Sequence, residues 1–231
     1  MSVVYNPKSV TNGIACFLDA GNLKSYVGSG TTWNDLNRNI TGTLTNGPTF
    51  SSLNKGSIVL DGVNDYVTFG TSYTSLDLVD KSFQCWIKKS SASNAAIIDK
   101  DFDNGGANYG GWGFWIQSNN KLWWWNQGNL DLLDDGANTI SNTTWSNVAV
   151  TYNSSTKTAS FYINGILNST KTNASIVEKS SGSTALIVGA HRDASGFFFG
   201  GSIALIMAYN RVLTSTEILQ NFNAHRGRFD I

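Results

Sequence analysis

The stretch GSIVLDGVNDYVTFG, Gly56 to Gly70, holds two short β-branched and aromatic runs, Ser57-Ile58-Val59-Leu60 and Tyr66-Val67-Thr68-Phe69. Between them, Asp61-Gly62-Val63-Asn64-Asp65 is turn chemistry, because glycine supplies a positive φ and Asx side chains bond their own backbone. The unit reads as a β-hairpin whose loop is rich in oxygen ligands. Asp61, Asn64 and Asp65 offer the hard donors that calcium takes. The same carboxylates can instead bond their own turn, so both uses of the loop stay open.

Working outward, the chain keeps the same rhythm. Gly13 to Asp19 is a buried first strand, and Ser82 to Lys88 alternates, with Phe83, Cys85 and Ile87 on one face and Gln84, Trp86 and Lys88 on the other. Ala95 to Ile98 is a further short strand, and Gly113–Gln117 and Lys121–Asn126 flank Ser118-Asn119-Asn120 as a second hairpin. Trp145 to Tyr152 places Val148, Val150 and Tyr152 on one face, Thr158 to Ile163 pairs back on it, and Asn164-Gly165 is a type I′ turn signal. Leu186 to Ala190 and Gly201 to Tyr209 complete the set. Short strands at this spacing predict an all-β sandwich or jelly roll of two antiparallel sheets. No linker interrupts it, so residues 1–231 read as one domain with an N-terminal arm over 1–12. One helix is expected, over 214–225, where Thr214-Ser215-Thr216-Glu217 forms a capping box and Ile218, Leu219 and Phe222 form an apolar stripe.

Charge excludes two classes of partner. Sixteen basic residues balance sixteen acidic ones, which leaves no field to attract nucleic acid or an anionic membrane. No run approaches the ~18 apolar residues of a membrane span. The first residues lack the pattern of a signal peptide. Cys16 and Cys85 each sit in an apolar run and read as buried free thiols.

The wording of three regions resembles a known family. Gly30 to Leu36 with Gly42 to Phe50, the Gly56–Gly70 stretch, and Tyr209 to Thr214 followed by Phe222 to Phe229 are similar to the start, centre and end of laminin G-like, concanavalin A-like jelly rolls. The final phrase resembles that of virion-associated proteins of tailed bacteriophages. The resemblance implies a concanavalin A-like sandwich, a structural calcium near the Asp61 loop, and a capsid decoration, head fibre or tail adhesin. Such a protein would be made in the host cytoplasm, sit on the virion surface in many copies or as a homo-oligomer, and contact surface glycans and other virion proteins. At Ala204 and Leu205 the family carries an acidic pair, so whatever those carboxylates do elsewhere is missing here, and the apolar replacement could equally mark a buried contact with another virion subunit.

For enzyme chemistry the family uses two or three carboxylates alternating along one strand. Only Glu178 and Glu217 are glutamates, and no strand is expected to present two aspartates at alternate positions. Asp99-Lys100-Asp101-Phe102-Asp103-Asn104-Gly105 imitates the start of an EF-hand calcium loop, but its glycine comes one place late, Gly110 stands where the last ligand belongs and Lys100 would sit amid the ligands, so it reads as an acidic loop. For binding, five of the eight tryptophans fall between Trp112 and Trp125. Sugar rings stack their apolar faces on such side chains, and core packing competes for them. Tyr109, Trp112, Trp115, Trp124 and Asn126 are the candidate sugar contacts. The expected function is therefore a non-enzymatic, lectin-like virion module. A purely structural virion protein and, third, a glycoside hydrolase are the alternatives.

Overall fold

The computed structural model describes residues 7–77, 80–103, 109–126, 131–194 and 196–231, with the backbone alone for Asp103, Tyr109 and Asp193. The strands are β1 (Ile14–Asp19), β2 (Thr32–Asn34), β3 (Thr41–Thr45), β4 (Thr49–Ser51), β5 (Ser57–Asp61), β6 (Tyr66–Thr68), β7 (Lys81–Lys89), β8 (Ala95–Asp103), β9 (Tyr109–Ile116), β10 (Leu122–Trp125), β11 (Leu132–Leu133), β12 (Ser146–Asn153), β13 (Thr158–Ile163), β14 (Ile166–Thr172), β15 (Ile187–Val188) and β16 (Gly200–Tyr209). One helix, α1 (Ser215–His225), follows. The first sheet runs β14-β13-β12-β7-β16-β5-β4, with β1 also on β16, and the second runs β11-β10-β9-β8-β15-β6-β3-β2. Every pairing among the described residues is antiparallel. The structure is the two-sheet, jelly-roll-like sandwich with a short C-terminal helix that the strand pattern predicts.

The Gly56–Gly70 stretch differs from expectation. β5 pairs with β4 and β16 in the first sheet, whereas β6 pairs with β3 and β15 in the second. The loop is an arch between sheets and not a hairpin turn. The reason is burial: Ile58 and Leu60 from one sheet and Val67 and Phe69 from the other all enter the same core. Asn46-Gly47 turns a second arch from β3 to β4, and the Asn46 side chain ties the two by donating to the Asn64 carbonyl at 2.9 Å. The other turn signals act as read. β9–β10 and β12–β13 are hairpins, and Asn164 and Gly165, at φ 51° and 78°, close β13 on β14.

The core lies between the sheets. Phe83, Cys85, Ile87, Val148, Val150 and Tyr152 face it from one side and Phe114, Trp112 and Trp124 from the other. Trp112 and Trp124 stack at 6.1 Å, with Phe83 4.7 Å from Trp112 and Tyr152 5.2 Å from Trp124. Both cysteines are free and buried. On the outside of the first sheet, α1 docks through Ile218 and Phe222 onto Trp86, Leu205 and Met207. Its capping box is formed, with Thr214 and Glu217 satisfying each other's backbone N–H groups. Leu219 is exposed, and the stripe is completed by Asn221, which accepts from the Val10 N–H and donates to the Tyr209 hydroxyl. Ala204 and Leu205 are buried in this same cluster. The chain's own C-terminal segment covers them, so neither is open to another subunit. No helix among the described residues is long and apolar enough to cross a membrane.

Candidate functional site

β8 runs on through the stretch read as a loop, to Asp103. Alternation along an undistorted strand from Ala96 would send Ile98 and Lys100 outward and Asp99 and Asp101 into the core. A bulge between Ala96 and Ile98 reverses this parity. It is held by Gly189, whose N–H donates to the Ile97 carbonyl at 3.0 Å, and by Phe197, whose carbonyl accepts from Ala96 at 2.9 Å. Ile97 and Ile98 both enter the core, Asp99 and Asp101 turn to the outer face of the second sheet, and Lys100 points inward. There Lys100 Nζ donates to Ser181 Oγ at 2.6 Å and to the Gly182 carbonyl at 3.3 Å.

Opposite the two aspartates, β9 carries glycine: Asp99 faces Gly113 and Asp101 faces Gly111. Trp115, next on that face, folds back and donates from Nε1 to Asp99 Oδ2 at 2.8 Å. The segment that pins the bulge also supplies His191, whose Nε2 lies 3.0 Å from Asp101 Oδ2, and Arg192, whose Nη1 donates to that oxygen at 3.1 Å. Asp101 Oδ1 is buried without a partner. Around this centre Trp115 meets Trp123, Trp125, His191 and Phe197 at 4.8, 6.4, 4.8 and 4.9 Å between ring centroids. Phe197 is 43 % exposed and roofs the cluster, while Asp99 and Asp101 lie beneath it at 0 % and 1 %.

The two carboxyls titrate apart. Burial, with the Asp101 charge beside it, pushes Asp99 well above the usual carboxylate range, so it holds its proton. Burial acts on Asp101 as well, but the hydrogen bonds from His191 and Asp99 and the His191 and Arg192 charges outweigh it and hold Asp101 ionised. One atom from each of Asp99, Asp101 and His191 lies within 4.8 Å of the others. The arrangement can therefore move a proton between paired acids, and as an Asp-Asp-His set it could coordinate a metal ion.

The sequence-predicted residues fall in different places. Trp112 and Trp124 stack in the core, whereas Trp115 is on the outer face with the acids. Asn126 is 1 % exposed just past β10, with its Oδ1 unpartnered. The Tyr109 backbone pairs with Asp103, and its side chain lies outside the described residues. In the Asp61 loop, Asp61 Oδ1 accepts the N–H groups of Val63, Asn64 and Asp65, and Asp65 Oδ2 accepts that of Asp61. Sequence reasoning sets Asp99 and Asp101 aside as an acidic loop and reads His191 as a surface or packing residue. The signal was present: Asp-Lys-Asp-Phe-Asp after Ile97-Ile98 has strand period, and opposite it lies Gly-Gly-Trp-Gly-Phe-Trp.

The family model described as the concanavalin A-like lectin/glucanases superfamily matches residues 61–219. No curated protein matches the chain. Among solved structures, Trypanosoma rangeli sialidase in complex with sialic acid is similar at a TM-score of 0.66 and 14 % identity, over 95 % of this chain and 34 % of the sialidase. The binding domain of Paraclostridial Mosquitocidal Protein 1 is similar at 0.68 and 15 %, over 92 % of this chain and 52 % of that one. Domain 4 of AbnA, an extracellular arabinanase from Geobacillus stearothermophilus, in complex with arabinotriose, is similar at 0.66 and 15 %, over 90 % and 97 %. The chain spans about a third of the sialidase's length. At these identities the similarity establishes the fold, which presents a surface consistent with glycan partners.

Two expectations are corrected. The absence of catalytic machinery rested on no strand presenting paired acids, and β8 presents Asp99 and Asp101 beside His191. That paired-acid centre overturns the expectation of a non-enzymatic lectin. The bacteriophage setting, with its virion partners and oligomer, finds no support in the family match or in these structures.

Proposed function

The chain belongs to the concanavalin A-like lectin/glucanase superfamily, and from that premise we propose that it cleaves glycosidic bonds on the outer face of its second sheet. The observation that carries this is the pair of carboxyls on β8, one protonated and one ionised, beneath an aromatic platform. Glycosidases need such a pair, one to protonate the leaving oxygen and one to meet the anomeric carbon. Asp99 gives its proton to the glycosidic oxygen as the C–O bond breaks, and Asp101 takes the glycosyl group as an ester. Water, losing a proton to the Asp99 carboxylate, then releases the sugar from Asp101. The two carboxyls hydrogen-bond each other, which leaves no room for the water that an inverting pair holds across roughly 6.5–9.5 Å. Cleavage should therefore retain anomeric configuration. Because Phe197 packs on Trp115 and His191, the side chains that hold the two acids, substrate enters by displacing that ring.

The test is release of reducing ends from a panel of arabinans, sialosides and β-glucans, with the product anomer read by NMR. Cleavage with retention, abolished in Asp99→Asn and Asp101→Asn, is expected. A wild-type protein inert on the whole panel, or variants as active as wild type, would falsify it.

A further inference from the structure

Trp115 takes part in both halves of this site. Its ring is the centre of the platform, packed on Trp123, Trp125, His191 and Phe197. Its Nε1–H holds Asp99 Oδ2 at 2.8 Å. The path between them is open only because residue 113 is glycine, since a Cβ there would collide with both Trp115 Nε1 and Asp99 Oδ2. Gly113 is not among the residues at positive φ, so space and not backbone conformation requires it. Asp99 Oδ1 meanwhile accepts from the Asp101 N–H at 3.3 Å, and the carboxyl is thus fixed from both ends.

Resting on the hydrolytic reading above, we propose that Trp115, 1 % exposed beneath Phe197, is the positioning residue for Asp99: its N–H sets the rotation of the acid, and the indole face uncovered when Phe197 is displaced carries the sugar ring. The substrate class follows from this, a glycan whose ring offers an apolar C–H face to the indole at the bond to be cut. Binding and acid orientation are then coupled through one side chain, and Gly113 keeps the coupling open.

The experiment separates the two roles. Trp115→Phe keeps an aromatic face and loses the N–H, and Gly113→Ala drives a methyl group between the partners. On a glycan that the wild type cleaves, both variants should lose about tenfold or more in kcat, part of the 10²–10⁴ that acid catalysis contributes. KM for Trp115→Phe should stay within about threefold, and melting temperatures show whether either variant is folded. In the wild-type protein the Trp115 indole N–H signal, assigned by its loss in Trp115→Phe, should shift in Asp99→Asn and on titration with glycan. An unchanged kcat in folded Trp115→Phe overturns the proposal while leaving the hydrolytic reading standing. If glycan binds without being cleaved, the hydrolytic reading falls, and the indole signal alone decides this one. A signal that no glycan in the panel moves, or that ignores Asp99→Asn, overturns it.

Discussion

Each sheet carries a tryptophan cluster on its outer face, and the two have opposite characters. On the first sheet Trp86 stacks between Phe222 and Phe229 at 5.6 and 4.1 Å, sealed by α1. Of its ionisable neighbours, Arg226 lies over Phe222, and Arg228 lies over Phe229 with its charge matched by Asp19 at 2.6 Å. On the second sheet Trp115 shares its burial with two carboxyls, an imidazole and a guanidinium. Packing alone does not call for the second arrangement, because desolvating ionisable groups costs free energy that hydrophobic residues of equal volume would not. The lesson is that aromatic density does not separate a structural cluster from a chemical one. The titratable groups among the rings do.

Breaking each cluster should therefore give different losses. Asp101→Asn, which removes the ionised partner, should cut glycan cleavage by up to ~10⁴-fold with the fold intact, read by reducing-end assay and circular dichroism. Trp86→Ala should cost about 3–5 kcal/mol in urea unfolding, since a buried aromatic leaves a cavity. It should leave glycan titration of the folded protein unchanged, and a weakened affinity would show that the two faces are coupled. Thr214→Ala, which removes one arm of the capping box that seats α1 on Trp86, should cost about 1 kcal/mol.

Acid gives the smallest effect. The Arg211 hydrogen bond holds the Glu217 carboxyl down at about 2, against an ordinary value of 4.5. Between these values the unfolded chain binds more protons than the folded one. The pair's stabilisation is thus present above pH 4.5 and is lost as pH falls toward 2. With the two side chains 27 % and 25 % exposed, the loss is at most about 1 kcal/mol. Glu217→Gln should flatten that part of the acid-unfolding curve relative to wild type, and high salt should narrow the difference.

Much of the architecture was legible because its determinants are local. The capping box at Thr214, the Asn164-Gly165 turn and the alternation of Phe83, Cys85 and Ile87 each reduce to a few consecutive residues. The Asp61 loop was legible as a turn but not as an arch, because which sheet accepts β5 and β6 depends on distant partners, β16 and β15. The centre was hidden for a similar reason. Lys100 between two aspartates makes the stretch look like solvated loop, and the inward ammonium finds its partners at Ser181 and Gly182, 81 and 82 residues on. The bulge that decides which way Asp99 and Asp101 point is set by Gly189 and Phe197. Likewise Trp112 and Trp115 are alike in sequence, and the parity of β9 sends one into the core and the other to the acids.

The hydrogen bonds that bind the arm to α1 have a mechanical consequence. Val10 is held by Asn221 and Tyr209, Lys8 by Gln220 and Ser9 by His225, while Ile231 folds back onto Arg226. Val10 and Ile231 thus both pack on the outer cluster of the first sheet, one sheet away from the Trp115 platform. Anything joined at either point acts as a tether from behind and leaves the platform facing forward. A short linker between the two points should yield a circular permutant with new ends in an exposed turn. Tension applied across them would strip the arm from the helix before it reached β8.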